Sequence, residues 1–437
     1  MKFVLLIMLG CAGAFAQTGS NAALQLDALI QEALQNNPEL RAFAANHDAM
    51  RARIPQVSSL EDPWLSFEIE EEPSEATATQ TANVLSRANA LADPSNGVHT
   101  SNSNLKYYYV GLAQKLPFPG KLGKAKKLAE IDAEHAHHDY EEKALEVIAG
   151  VKAAYYELYM IQRGLEVNQE NINLMTQFVN LARVRYAVGQ VMNQDVLKAN
   201  VELARLANAQ INLQQQEETV KAMLNVLLNR APQSPLGQTV FPERSSLSFD
   251  LEALQRFALS HRPMIHHDSL SVAQSHVSNS LARRQYWPDF DLSLMYVTSP
   301  FNGFRGFTAM AGVSLPFSLW SIKKQRGRVE ETTAEIRMKE ALFDNTRNMI
   351  LFAVKDGLTK AQSAQRILEL YRVTVLPQAE QALQATLVNY QTQQTDFLML
   401  LDSYRMLQMS KMEYYEAEAK YEMSLAELER AVGKRLE

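Results

Sequence analysis

Two periodicities divide this chain of 437 residues. Short stretches alternate apolar and polar positions: Leu65, Phe67 and Ile69 against Ser66, Glu68 and Glu70, and Phe290, Leu292, Leu294 and Tyr296 against Asp291, Ser293, Met295 and Val297. Tyr108, Val110 and Leu112 share one face, as do Phe307, Ala309, Ala311, Val313 and Leu315. A period of two predicts four strands, each with one apolar and one more polar face. That pattern suits a soluble sandwich as well as a membrane barrel. Most of the remainder is helical. From about Gly120 to Leu228, and from about Ser321 to Gly433, Pro377 is the only proline. One straight helix over either stretch would be ~165 Å long, so a central turn is expected to fold each into a hairpin of ~80 Å. Turn signals stand within Arg185–Leu197 and within Asn389–Leu398. Beyond the second, Tyr404, Leu407, Tyr414, Ala417, Tyr421, Leu425, Leu428 and Val432 step by three, four or seven, which is coiled-coil spacing.

The two patterns occur in the same order twice. Leu26 to Leu40 opens the first half and Leu251 to Ile265 the second, with Pro38 and Pro263 225 residues apart. Asp62-Pro63-Trp64 and Trp287-Pro288-Asp289 keep that offset of 225, but Leu116-Pro117-Phe118 and Leu315-Pro316-Phe317 are 199 apart. The first half therefore carries 26 extra residues between its strands. They fall in the Ser-, Thr-, Asn- and Pro-rich segment 71–106, which reads as a long surface loop. The expected organisation is a first repeat over 17–240, with a helical hairpin over 120–230, and a second over 241–437, with its hairpin over 321–433. Each repeat runs short helix, strand, loop, strand, long helical hairpin.

Residues 1–16 change the compartment. Lys2, the apolar run Phe3 to Leu9 and Ala14-Phe15-Ala16 have the layout of a secretory signal peptide. The run is well short of the roughly 20 residues that span a bilayer. Processing as a lipoprotein at Cys11 is the alternative, with Met8 where a lipobox prefers an aliphatic residue. Cys11 is the single cysteine, so ordinary cleavage leaves no thiol for a disulfide, a zinc ribbon or a nucleophile. The net charge of −6 argues against a nucleic-acid partner. No later stretch is long and apolar enough for a transmembrane helix, so any membrane insertion would be by strands.

In order, these motifs resemble the TolC-like outer-membrane efflux family over essentially the whole chain after residue 16. They are the opening Leu26–Leu40, the Asp62-Pro63-Trp64 strand start, the Leu-Pro-Phe at each strand-to-helix junction, Arg185-Tyr186 with Gly189 and Asp195-Val196-Leu197, and Tyr390 with Asp396-Phe397-Leu398 and Asp402. The second tip lacks the glycine, with Gln393-Gln394 in its place. The resemblance implies a mainly α protein with a membrane β-barrel part: a homotrimer whose four strands per chain close a twelve-stranded barrel over a periplasmic coiled-coil tunnel. It implies an efflux channel for small solutes that docks a periplasmic adaptor (membrane fusion) protein and an inner-membrane transporter. Membrane barrels begin at eight strands and open edges are not tolerated in lipid, so four strands need other chains to close. A type I protein-secretion channel shares this fold, and a soluble periplasmic coiled-coil scaffold would need no barrel.

No metalloprotease, phosphate-loop or serine-hydrolase signature and no paired cysteines occur, so neither an enzyme nor a cofactor is expected. His135, His138 and Asp139 have a spacing that can hold a metal on a helix, although a solvated helix face fits them better. His261, His266 and His267 fit that reading more strongly. Lys115, Lys121, Lys124, Lys126 and Lys127 surround the first Leu-Pro-Phe, and Lys323, Lys324, Arg326 and Arg328 follow the second. Cations at a helix start oppose its dipole; they are either ordinary solvated charge or contacts to outer-membrane lipid headgroups. At the hairpin tips the resemblance implies a gate of acids, for which Asp402, Asp396 and Asp195 are the candidates. Asp195 and Asp396 also suit a plain helix-start role. The adaptor is expected to meet Tyr186, Val188, Gly189, Gln190, Tyr390 and Gln394.

Overall fold

The computed structural model describes residues 23–72, 105–241, 250–300, 303–316, 318–392 and 394–436. The signal segment, Cys11, most of the 71–106 loop and Phe317 lie outside them. The first repeat runs α1 (Leu26–Asn36), α2 (Pro38–Ser58), β1 (Trp64–Glu72), β2 (Leu105–Leu116), α3 (Lys121–Ala187) and α4 (Asn193–Leu227). The second runs α5 (Leu251–His261), α6 (Pro263–Arg284), β3 (Phe290–Thr298), β4 (Arg305–Val313), α7 (Leu319–Leu370), α8 (Leu376–Gln391) and α9 (Phe397–Val432). The chain forms two compact units, one of 1–45, 137–267 and 344–437, the other of 46–136 and 268–343.

The single short helix expected at the head of each repeat is two helices broken before a proline. A residue preceding proline is pushed out of the helical region, and Asn37 and Arg262 have ψ of 123° and 128°. Asn37 turns the break into a cap: its Oδ1 accepts from the amides of Glu39 and Leu40 at 2.9 and 3.2 Å, and its Nδ2 donates to the Leu227 carbonyl. Leu29, Ile30, Ala33 and Leu40 are thereby seated in a core with Val151, Tyr155, Leu158, Leu224 and Leu228.

The long hairpins do not turn at their centres. α3 has 67 residues, ~100 Å at 1.5 Å each, whereas α4 has 35, ~52 Å. The start of α3 packs elsewhere: Asp132 accepts from Gln274 of α6 at 2.5 Å and stands 3.9 Å from Arg53 of α2. In the second repeat, Pro377 follows a π-helical turn, Tyr371–Val375, in which the Leu376 amide reaches back to the Tyr371 carbonyl. Proline cannot continue the ordinary bond ladder, and the extra residue of a π turn absorbs the mismatch without ending the rod. The α9 seam is largely buried, with Tyr404, Ala417, Tyr421, Leu425, Leu428 and Val432 all enclosed. Charged groups share the interior. Lys152 pairs with Glu429, and Glu418 accepts from the hydroxyls of Tyr159 and Tyr414, as buried charge requires.

The four strands form one antiparallel sheet in the order β1-β2-β3-β4. The expected loop 71–106 begins later than its composition implies, since Glu71 pairs with Lys106 and Glu72 with Leu105. Register puts the apolar sets on one face: Leu65 opposite Leu112, Leu112 opposite Leu294, Leu294 opposite Ala309, and likewise Phe67, Val110, Tyr296 and Phe307. The other face carries Ser66, Glu68, Glu70, Tyr107, Tyr109, Asp291 and Ser293, with Tyr109 donating to Glu70 at 2.7 Å.

Candidate functional site

Two places carry chemistry: the sheet and the hairpin tips. The apolar sheet face is bare. Leu65, Phe67, Leu294 and Phe307 are 72, 67, 51 and 76 % exposed, which in water is a large uncompensated apolar patch. Aromatic side chains mark both ends of the sheet. All three tryptophans stand where strands join helices: Trp64 opens β1 on the side of Ser66 and Glu68, Trp287 precedes β3, and Trp320 follows β4. Tyr108, Tyr296, Phe304 and Phe307 mark the other end. An apolar band between two aromatic girdles, backed by a polar face, is the surface of a transmembrane barrel strand set.

The strand-to-helix junction is locked by the residues of the repeated motifs. Phe118 stacks on Trp287 at 5.0 Å, and Arg284 donates to the Pro119 carbonyl at 2.9 Å. Asp289 accepts from Lys121 at 2.8 Å and from the Phe118 amide at 2.7 Å. Burial raises the Asp289 pKa, but those two donors outweigh it, and the carboxyl sits below its usual range.

At the first tip, α3 closes with Gly189 at φ +74°, where its amide donates to Tyr186 and that of Gln190 donates to Arg185. This left-handed position suits glycine, and the paired bonds are a Schellman closure. The second tip makes the equivalent long bond, Gln394 amide to Asn389 carbonyl at 2.8 Å, without a glycine; Gln393 itself lies outside the described residues. One side chain ties the tips together. Arg185 donates to the carbonyls of Tyr390 and Gln391 at 2.7 and 3.0 Å, with its guanidinium 4.6 Å over the Tyr390 ring. It satisfies orphan carbonyls at the C-terminus of α8, where a cation also complements the dipole.

Sequence gave no sign of that clamp, and it changes the role of Tyr390. The ring was expected as an adaptor contact; it is 3 % exposed, edge-on to Phe397 at 6.0 Å, inside the tip. Burial raises its hydroxyl pKa, Arg185 opposes and Asp195 adds to the rise. Tyr186, Val188, Gly189, Gln190 and Gln394 are exposed, joined by Val184, Met192, Val388, Leu398 and Met399, which no motif signalled. Between the tips lies an open depression of about 630 Å³ lined by Arg185, Gln190, Asp195, Tyr390, Gln394 and Asp396. Of the three acids, Asp396 caps α9 by accepting from the Met399 amide at 3.0 Å. Asp195 is half-buried in the first turn of α4. Asp402 is exposed one turn further along α9 and acts electrostatically on Arg405, which pairs with the buried Glu202 of α4.

The histidines pair with neighbours. His138 stacks on His266 at 5.6 Å and contacts Glu141, and His267 stands 3.6 Å from Asp139. Among the described residues no group of three metal-ligating side chains converges.

A bare apolar strand face joined to long helical hairpins defines the class, a TolC-like outer-membrane channel fold. A model of the outer membrane efflux protein family matches residues 29–230, which lie within the first repeat of this chain. Its relatives include the cobalt-zinc-cadmium resistance protein CzcC of Cupriavidus metallidurans, 22 % identical over 94 % of this chain and 90 % of that protein. The toxin and drug export protein A of Aggregatibacter actinomycetemcomitans is 24 % identical over 80 % of this chain and 76 % of its own length. The match to protein CyaE of Bordetella pertussis, at 25 % identity, spans 54 % of this chain and about half of that relative, 52 %. The solved outer membrane protein VceC of Vibrio cholerae superposes with a TM-score of 0.77 at 20 % identity, covering 94 % of this chain and 97 % of that one. The chain is thus similar in sequence to outer-membrane efflux proteins and shares the fold of solved outer-membrane channels.

Proposed function

We propose that three copies close one twelve-stranded barrel and that the assembly conducts solutes outward from a periplasmic adaptor and an inner-membrane transporter. The observation that carries this is the four-stranded sheet with two unpaired edges and a bare apolar face. Unpaired backbone groups are not tolerated in lipid, and four strands cannot close. The channel supplies a path and the transporter the energy, so no tight site is needed. Purified protein in detergent is expected to be a trimer with a distinct β component in a mainly helical spectrum. A monomer that stays soluble without detergent would overturn this reading in favour of a soluble scaffold.

Small solutes are the proposed cargo. The relatives' names divide between metal resistance and toxin or drug export, and the type I secretion reading shares every feature of the fold. Acids at the tips, with Asp402 foremost, are proposed to form the gate. The exposed residues Tyr186, Val188, Gly189, Gln190 and Gln394 are proposed to meet the adaptor.

The segment joining β1 to β2 is proposed to face the exterior. It departs from the Glu72–Leu105 end of the hairpin, opposite the end where β2 passes into α3. Protease added to intact cells is expected to cut within 73–104 and to spare α7 to α9. Cleavage in 73–104 only after the periplasm is opened would reverse the orientation.

A further inference from the structure

The cations at the two strand-to-helix junctions are not equivalent. Most are neutralised locally: Lys115 by Glu61 at 3.2 Å, Lys121 by Asp289, and Lys126 and Lys127 by Glu130. Arg326 pairs with Glu330 and Arg328 with Glu331. Lys124, Lys323 and Lys324 have no carboxylate within 4 Å among the described residues. Two of these three stand in the first turns of α7, where the helix dipole disfavours positive charge. Local structure therefore does not account for them.

Their neighbours do. Trp320 is 78 % exposed, and it lies three and four residues before Lys323 and Lys324, so the indole and both ammonium groups share one side of α7. Trp320 also follows directly from the bare sheet face, at the same end as Trp64 and Trp287. An indole prefers the level of lipid headgroups, and a lysine stem can lie along apolar surface while its ammonium reaches phosphate.

We infer that Trp320, Lys323 and Lys324 form a binding step for anionic phospholipid on the leaflet facing the helices. This rests on the barrel reading proposed above. A second copy is the poorer occupant, because each junction of that copy presents its own uncompensated lysines, whereas an anionic headgroup supplies the missing charge.

The test uses the full chain in vesicles, with Trp64→Phe and Trp287→Phe leaving Trp320 as the reporter. Quenching by brominated phosphatidylglycerol is compared with quenching by brominated phosphatidylcholine. At about fivefold per lysine beside an anionic surface, the anionic lipid is expected to be preferred roughly tenfold or more. Lys323→Gln with Lys324→Gln should bring the preference close to one while quenching by phosphatidylcholine persists. Lys126→Gln with Lys127→Gln, already neutralised, should leave it unchanged. If the reporter variant does not assemble, mass spectrometry of lipid retained by the parent trimer and by the Lys323→Gln, Lys324→Gln trimer reads the same preference. Equal binding of both lipids, or a preference surviving loss of both lysines, overturns the inference. Inserted trimer in which neither lipid quenches Trp320 also overturns it, since a neighbouring protomer then covers the indole and the barrel reading stands. Failure of the parent to insert at all removes both.

Discussion

Leu294→Arg is expected to prevent assembly of the proposed outer-membrane trimer, and Ser293→Arg, one residue away, to leave it largely intact. Leu294 is the central residue of β3, opposite Leu112 on one side and Ala309 on the other, in the middle of the apolar face. An arginine at the bilayer midplane of a barrel costs about 2–4 kcal/mol, and in a trimer three copies bear it at once. Ser293 points to the face shared by Ala113, Met310, Glu68 and Glu70, where a charge can stay hydrated. Heat-modifiable migration and the fraction of protein recovered in outer membranes measure the difference. If Leu294→Arg assembles like the parent while Ser293→Arg fails, the two faces of the sheet have been assigned the wrong way round.

Much of this contrast was legible in the sequence because strand periodicity is strict. A residue two places on returns to the same face, so Leu65-Phe67-Ile69 and Leu292-Leu294-Tyr296 could be grouped before any register was known. The repeat landmarks were legible for a similar reason. Pro38 and Pro263 stood out as landmarks at a fixed spacing, although the helix break each imposes on Asn37 and Arg262 was not expected, and Gly189 stands where only a residue without a Cβ turns left-handed cheaply. What could not be read depends on residues far apart meeting in space. Arg185 and Tyr390 are 205 positions apart, and nothing near either announces the other. The α9 seam showed its apolar members, but nothing in its pattern signalled that Glu418 and Glu429 are buried on the same helix, where Tyr159 and Lys152 of α3 partner them. The expected central turn failed because periodicity reports that a helix continues, and not which helix it packs against. α3 outlasts α4 because its first turns pack with α2 and α6.

At the tips, two substitutions should separate what holds the entrance from what selects there. Arg185→Ala removes two charge-assisted bonds to the carbonyls of Tyr390 and Gln391 and the stacking on the Tyr390 ring. Net values of about 1.5–3 kcal/mol apply to a hydrogen bond from a charged group, less at a half-exposed site. A loss of about 2 kcal/mol would shift a closed–open balance by roughly thirtyfold. Longer and more frequent openings in planar bilayers are the expected record. Arg185→Lys should fall between the two, because an ammonium keeps the charge but cannot span both carbonyls. Asp402→Ala should behave differently. Its carboxylate is exposed, caps nothing and sits beside Arg405, so the tip should stay closed. In a trimer, however, three such carboxylates around the axis would bind divalent cations. Block by added divalent or trivalent ions should then weaken in Asp402→Ala. Adding Asp396→Ala, which also removes the α9 cap at a cost of about 1 kcal/mol, should weaken block further and loosen the helix start. Openings unchanged in Arg185→Ala would show that the clamp does not hold the tip, and unchanged block in the double aspartate variant would remove both acids from the gate.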